Sequence, residues 1–483
     1  MKRVRPIQIA WKPDKKSSTP VYRQIVQYIC DKVANGEWTI GSRLPPQRAL
    51  AESFGVNRST ISTAIDELTS YGIISGKSGA GTQIVSNTWS LMLPTKPSWK
   101  KLISSGYLQE NNRRMQQINR LEFAPDIIRL GTGELDPRLF PQKMWTEVLQ
   151  KMSVEITSLG YAEPLGILTL REAIVEHMKQ FGINVSTKNV LVTSGALQAL
   201  QLISSCMLEE GSTVFTEAPT YLKSLQMFQS AGLNLNGISM DQDGMEYWKI
   251  AKQLQKSESS ILYTIPTNQN PTGITMSNAR RQELMNFCIK NRLPIIEDGA
   301  YQELCFDGES ALPLKAIDDN GMVMYLGSAS KTLAPGLRIG WVIASEPVIQ
   351  RLGDAKMQMD YGASSLSQLV FAEFLQSGKY KEYLIGLKKI LKKRRDNALK
   401  TLEKYFQDIA TWDVPIGGFY IWLTFNDDVE VDDLFERALD KGILLNTGDI
   451  YDFKHNRSLR LSFAYLTCEE FTAAMRTIRN GLY

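Results

Sequence analysis

Along residues 20–38, PVYRQIVQYICDKVANGEW, apolar side chains recur every four positions at Val21, Ile25, Ile29 and Val33, with Tyr22 and Tyr28 beside them. That spacing predicts one face of an amphipathic helix, closed at Asn35 and Gly36. The loop IGSRLPP follows, its prolines ending one element and opening another. Then PQRALAESFGVNRSTISTAIDELTSYG predicts a helix over Gln47–Phe54, a tight turn at Gly55 and a second helix capped by Asn57. Leu50, Val56, Ile61, Ile65 and Leu68 fall on the buried side, while Ala51 lets the two helices cross closely. This is helix-turn-helix patterning. Next, IISGKSGAGTQIV alternates apolar residues about a Gly-rich tip carrying Lys77, as a two-stranded wing would.

The pattern then weakens. Residues 88–125 read as a basic linker with nascent helix, including a polar helix over 113–120. From Asp126 short apolar runs alternate with helical stretches, which predicts an α/β domain with a mostly parallel sheet. Five runs each end in a polar cluster: 189–193 before SGAL, 213–216 before EAPTY, 261–265 before PTNQNPTG, 293–296 before EDGAY, and 323–326 before GSASK. In open α/β sheets the carboxyl ends of the strands are where ligands bind. One such cluster is weak evidence, but five that coincide are not.

Composition narrows the chemistry. The chain has 483 residues, enough for two or three domains, and only two histidines, His177 and His455. A Ser/His/Asp triad or a multi-histidine metal centre is therefore strongly disfavoured, and no metal is expected. The five scattered cysteines suggest a reducing compartment. Without an apolar leader or a long apolar run, a cytoplasmic protein with no membrane partner is expected. The net charge of +4 is unevenly placed: residues 1–90 carry 12 Lys/Arg against 6 Asp/Glu, 91–125 add about +4, and the rest is near −6. A basic head on an acidic body points to a polyanion partner for the head. The run KKILKKRR at 388–395 reads as a solvated helix face.

The strand-end clusters form a coherent kit. Lys331 offers an amine, with Ser328, Ser330 and Arg338 close to it in SASKTLAPGLRIGW. Gly195 and Ala196 open a helix whose free N–H groups suit a phosphate. Asp298 is a strand-end carboxylate needing a positive partner, Asn270 and Tyr301 supply donors, and Tyr221 supplies a flat face. A phosphorylated aromatic aldehyde with a basic ring nitrogen, pyridoxal 5'-phosphate, satisfies them all.

Two family resemblances bear on these readings. LPPQRALAESFGVNRSTISTAIDELTSYGIISGKSGAGTQI resembles the winged helix of GntR-family regulators. The resemblance implies DNA contacts from Arg43, Gln47, Arg48, Asn57, Arg58, Ser59, Thr60 and Lys77, with Arg43 and Lys77 on phosphate and Arg58 with its neighbours at base edges. From about residue 126, GELDPRLFP, YAEPLGILTLREAI, TSGALQAL, EAPTY, NQNPTG, EDGAY, SASKTLAPGLRIGW, PIGGFYIWL and LRLSFA resemble class I aminotransferases of fold type I, in that order. This implies that Lys331 carries the internal aldimine, Asp298 pairs with the ring nitrogen, and Asn270 and Tyr301 bond the phenolic oxygen. Tyr221 would stack on the ring, while Ser328, Ser330, Arg338, Gly195 and Ala196 would hold the phosphate. Tyr161 is similar to a tyrosine lent to the partner subunit's phosphate, and Arg460 to the arginine that clamps a substrate carboxylate.

Together the halves resemble MocR/GabR-type regulators. The expected organisation is a winged helix-turn-helix at 19–87, a linker at 88–125 and an aminotransferase-like domain at 126–483, with a smaller α+β subdomain from about 366. The implied function is a homodimeric transcription regulator that binds double-stranded DNA at two half-sites and senses an amino compound, or the cofactor, through Lys331. A working aminotransferase with an autoregulatory head is the alternative. Lys223 stands where a GABA-sensing member has arginine, and lysine cannot form the same fork, so GABA is not carried over as effector. EAPTYLKSLQMF looks closer to aminoadipate-type aminotransferases.

Overall fold

The computed structural model describes residues 7, 9–34, 37–77, 81–86, 113–254, 259–308, 311–426 and 429–482. The chain divides into two compact units, Met1–Gly106 and Tyr107–Tyr483. Among the described residues no helix is long and apolar enough to cross a membrane.

In the first unit the apolar stripes become three helices, Val21–Ala34, Gln47–Phe54 and Arg58–Ser70, followed by an antiparallel pair, Ile74–Lys77 with Gly81–Ile84. Ile25, Ile29, Val33, Leu50, Phe54, Ile61, Ile65 and Leu68 close one core with Ile74 and Ile84. The tight turn depends on Gly55, whose φ of 65° lies in the left-handed region and whose N–H reaches back to the Ala51 and Glu52 carbonyls. Two details differ from the pattern. Asn57 occupies the cap position of Arg58–Ser70, but its exposed side chain makes no capping hydrogen bond. Packing also begins before residue 19, because Trp11 stacks on Tyr28 at 4.6 Å and meets Phe54 edge-on. Ile7 and Ile9 pack on the same core, and Ile7, Ile9 and Trp11 alternate over a run too short to announce an element.

The second unit is built on an eight-stranded sheet in the order Val190–Thr193, Gly340–Ile343, Val323–Ser328, Ile295–Asp298, Ser260–Thr264, Thr213–Ala218, Asn234–Asp241, Gly244–Met245. Six strands run parallel; Gly340–Ile343 and the edge strand Gly244–Met245 are antiparallel to their neighbours. Alternate residues of each central strand enter different cores. Phe215, Leu262, Ile295 and Val323 pack on one side, Val214, Ile261, Ile296 and Met324 on the other. Both faces are therefore covered, as a parallel sheet requires.

A three-stranded antiparallel sheet, Ala410–Thr411, Tyr420–Phe425 and Ser458–Ser462, stands beyond the long helix Lys379–Phe406 in sequence. Its register sets Trp422 opposite Arg460. The polar helix expected over 113–120 exists as Arg113–Leu121, but it packs as part of the second unit rather than as a linker. Met115 and Ile118 are buried, and Arg114 lies over the Phe435 ring while pairing with Asp432 and Glu436. Residues 88–112 of the expected linker lie outside the described residues. The run 388–395 is not simply a solvated face. Arg394 is buried against Asp136 at 2.6 Å, and Arg395 is buried and pairs with Asp307, because both fall on the side of the helix that carries Leu387, Leu391 and Ala398.

Candidate functional site

The carboxyl ends of the parallel strands meet at two adjoining cavities that share Tyr221, Asn270, Ser330, Lys331 and Arg338. The inner cavity, about 140 Å³, adds Gly195, Ala196, Asp298, Tyr301 and Ser328. The outer one, about 230 Å³, adds Arg460, Gly133, Tyr420, Tyr451 and the helix residues Met115, Ile118 and Asn119, with Glu122 just beyond. Eleven of the twelve residues expected at this site from sequence thus line these cavities. Tyr161 does not; it is 91% exposed, its ring 5.7 Å from Tyr361.

Lys331 follows the strand Val323–Ser328, and its Nζ donates to the Gly133 carbonyl at 2.7 Å. Asp298 ends the neighbouring strand, where it is buried. Its Oδ2 accepts from the Tyr263 hydroxyl at 2.7 Å and its Oδ1 from the Ala300 N–H. Burial pushes the Asp298 pKa up, while Tyr263 and Ala300 pull it back. Among the described residues no cation forms a salt bridge with it, and only the more distant Lys331 charge acts on it from across the cavity. Glu217, two strands away and fully buried, is raised to about 7 by desolvation, and its Oε2 has no hydrogen-bond partner among the described residues.

Around the opposite end of the inner cavity stands an anion cradle. Gly195 caps the helix Ala196–Cys206 at a φ of 86°, and a Cβ there would lie 2.7 Å from Arg338 Nη2. The backbone of Gly340 closes in on the same place, since a Cβ on it would meet the Gly195 carbonyl carbon at 2.7 Å. Arg338 itself holds a left-handed φ of 53°, rare for a side-chain-bearing residue, and donates to the Ser194 carbonyl at 3.0 Å. Ser328 Oγ accepts from the Ser330 N–H. The arrangement offers a helix N-terminus, a guanidinium and a hydroxyl to one anion.

Arg460 is 3% exposed and fixed on every side. Nε and Nη2 donate to the Gly131 carbonyl at 3.1 and 2.6 Å, and Nη1 to Asn270 Oδ1 at 2.9 Å. The Tyr420 and Tyr451 rings lie 4.3 and 4.6 Å from the guanidinium. Three of its five N–H donors are used, which leaves one on each Nη for a ligand carboxylate. Asn270 gives its oxygen to Arg460, so its amide N–H groups remain to meet a ligand oxygen. Tyr301 shares a 2.8 Å hydrogen bond with Tyr420.

Sequence reasoning missed Tyr263, Tyr420, Tyr451 and Gly133, and it read the helix Arg113–Leu121 as linker and not as a wall of the site. Tyr420 lay inside PIGGFYIWL, and Tyr263 inside the strand run ILYTI, where alternation places it with the residues of the Asp298 side. On the first unit Arg43, Arg48, Asn57, Arg58 and Ser59 are exposed, while Gln47 and Thr60 are half-buried. Arg43 bridges to Gln83 of the wing through its backbone. The Lys77 side chain lies outside the described residues.

Comparison with known proteins divides the chain at the same level. Residues 125–478 match aminotransferase class I and II, and residues 21–84 match bacterial regulatory proteins of the gntR family. The chain is 46% identical over 467 residues to the uncharacterized HTH-type transcriptional regulator YisV of Bacillus subtilis (strain 168), covering 96% of each. It is 35% identical to the HTH-type transcriptional regulator NorG of Staphylococcus aureus (strain N315), covering 90% of this chain and 98% of that one. Among solved structures, the multiple substrate aminotransferase from Thermococcus profundus superposes with a TM-score of 0.75 at 30% identity, covering 80% of this chain and 98% of that chain. LysN, the α-aminoadipate aminotransferase of Thermus thermophilus, superposes at 0.72 with 27% identity over 80% and 98%.

Proposed function

We infer the function from one premise: this chain belongs to the aminotransferase class I and II family and carries a head of the gntR family of bacterial regulatory proteins. It is an HTH-type transcriptional regulator with a pyridoxal-phosphate-binding, aminotransferase-like body. The head binds double-stranded DNA through the exposed start of Arg58–Ser70, with Arg43, Gln47, Arg48, Asn57, Ser59 and Thr60 around it and Lys77 of the wing sequence as a further contact. A two-fold dimer reading two half-sites fits this head, and the exposed Tyr161 is available to a partner's phosphate site.

The donor set fits the cofactor. The buried Asp298, in no salt bridge among the described residues, suits a protonated ring nitrogen, and the Gly195, Ala196, Ser328, Ser330 and Arg338 cradle suits a phosphate. When bound, pyridoxal phosphate supplies an aldehyde that condenses with amines and a ring that withdraws electrons. The chain's own residues do the rest. Lys331 presents its amine where the two cavities meet, held by Gly133. Asp298, whose pKa burial raises and Tyr263 and Ala300 draw back down, faces the ring nitrogen to hold its proton. Asn270 and Tyr301 aim donors at the ring oxygen, Tyr221 offers a face, and Arg460 takes a ligand carboxylate. An amino compound entering the outer cavity competes for the place Lys331 occupies, and it shifts DNA affinity by its differential affinity for the two arrangements of the dimer.

The observation that carries this reading is the joining of an anion-and-pyridine cavity to a carboxylate-receiving cavity at Lys331 Nζ, in a chain with a gntR-family head. The test compares the full-length protein with Lys331→Ala on DNA fragments selected from a genomic library. Both are expected to bind the same fragments, and only the wild type to change affinity with amino compounds. Equal responses from both would overturn sensing through Lys331. Multiple turnovers with an amino acid and a keto acid, without specific DNA binding, would overturn the regulator reading.

A further inference from the structure

The outer cavity changes character from floor to rim. At the floor stands Arg460, buried, with two guanidinium donors uncommitted. Lys331 enters where this cavity meets the inner one. At the rim are two carboxylates, Glu134 and Glu122. Glu134 is already engaged by Arg129 at 3.1 Å. Glu122, on the turn that follows the helix Arg113–Leu121, has no ion pair among the described residues and is half-buried beside the cavity. Asn119, one turn earlier, adds a further polar group at the same wall.

Resting on the sensing reading above, we propose that Glu122 selects the effector, which is a small α-amino acid whose side chain ends in a second cationic group. Arg460 holds the carboxylate, the α-amino group meets the reactive centre at Lys331, and the distal ammonium or guanidinium pairs with Glu122. A distal carboxylate would face Glu122 as a like charge, and an alkyl side chain would leave it partly desolvated and unpaired. A site built around a polar partner rejects the analogue that lacks it more strongly than an apolar pocket rejects a wrong size. The cavity volume of about 230 Å³ gives room for a single amino acid. This choice opposes the aminoadipate-like character of 217–228.

The test uses the full-length chain loaded with pyridoxal phosphate, titrated with lysine, ornithine, norleucine, 2-aminoadipate and cadaverine. Two readouts are followed, the visible spectrum of the cofactor and the melting temperature. Lysine or ornithine is expected to half-saturate at least about tenfold lower than norleucine or aminoadipate, a difference of about 1.4 kcal/mol. Cadaverine, lacking the carboxylate, should lose most of that advantage. Glu122→Gln should bring lysine and norleucine within about threefold, and Glu122→Lys should turn the preference toward aminoadipate. A wild-type preference for aminoadipate, or an undiminished lysine preference in Glu122→Gln, would overturn the assignment of Glu122 and leave the sensing reading standing. A chain whose spectrum and melting no amino acid moves would overturn both.

Discussion

Tyr263→Phe keeps the aromatic ring and removes one hydroxyl. That hydroxyl donates to Asp298 Oδ2 at 2.7 Å in a pair where Tyr263 is fully buried and Asp298 nearly so. A hydrogen bond to a charged acceptor contributes about 1.5–3 kcal/mol. Its loss penalises the ionised carboxylate, because burial already favours the neutral acid and only Tyr263, the Ala300 N–H and the Lys331 charge oppose it. A protonated pyridine is held by the carboxylate and not by the acid. Affinity for pyridoxal phosphate near neutral pH should therefore fall by about ten- to 150-fold. The sign of the pH dependence follows. Removing the donor raises Asp298 further, so the deficit deepens as pH falls and shrinks as pH rises and the carboxylate is restored. The assay is titration of the apo chain with pyridoxal phosphate by its visible absorbance across neutral to alkaline pH, with circular dichroism confirming an intact fold. Equal affinities for variant and wild type throughout, alongside a crippled Asp298→Asn, would refute the argument that Tyr263 sets the charge on Asp298.

Gly195→Ala places a methyl group 2.7 Å from Arg338 Nη2 at a positive φ, so phosphate and pyridoxal phosphate should each bind at least about tenfold more weakly by calorimetry. Asp136→Asn removes the carboxylate shared by Arg394 and Arg138, leaving the buried Arg394 charge unpaired, and should lower stability by about 3–5 kcal/mol in urea unfolding. Arg138 and Arg394 outweigh burial and hold the Asp136 carboxyl below its ordinary value, while Arg138 pulls Glu470 down to about 2. The stability that both carboxylates contribute is complete only above about pH 5 and is lost as pH falls toward 2, which acid titration of the melting temperature would show. In the head, Arg58→Ala should relax sequence discrimination by about 1–3 kcal/mol, whereas Arg43→Ala should weaken binding to all sequences and reduce the salt slope by about one. Gel-shift titrations at several salt concentrations separate the two.

The head was legible because its information is local. Stripes at Ile25, Ile29 and Val33 and at Ile61, Ile65 and Leu68, with Gly55 between its helices, determine helix positions without long-range contacts. Five of the six parallel strands were legible for a different reason, being short apolar runs that each stop at polar residues. Gly340–Ile343 was hidden because it follows Lys331 by a few residues and reads as part of that motif. Asn234–Asp241 was hidden because its asparagines and serine break the apolar signal. The partners of Asp298 and Arg460 were illegible in principle. Tyr263 lies 35 residues from Asp298, and Gly131 lies 329 from Arg460. Only the folded chain brings them together.

The placement of Arg113–Leu121 bears on where this protein can be cut. A fragment begun at residue 125, where the aminotransferase match starts, would lack Met115, Ile118, Asn119 and Glu122, and with them one side of the outer cavity. Two apolar side chains would leave water-free packing, and the Phe435 ring would lose its cover from Arg114. Such a fragment would bind ligands through an open bowl instead of a walled chamber. Affinities measured on it would belong to the fragment, and a faithful excision must start no later than residue 113.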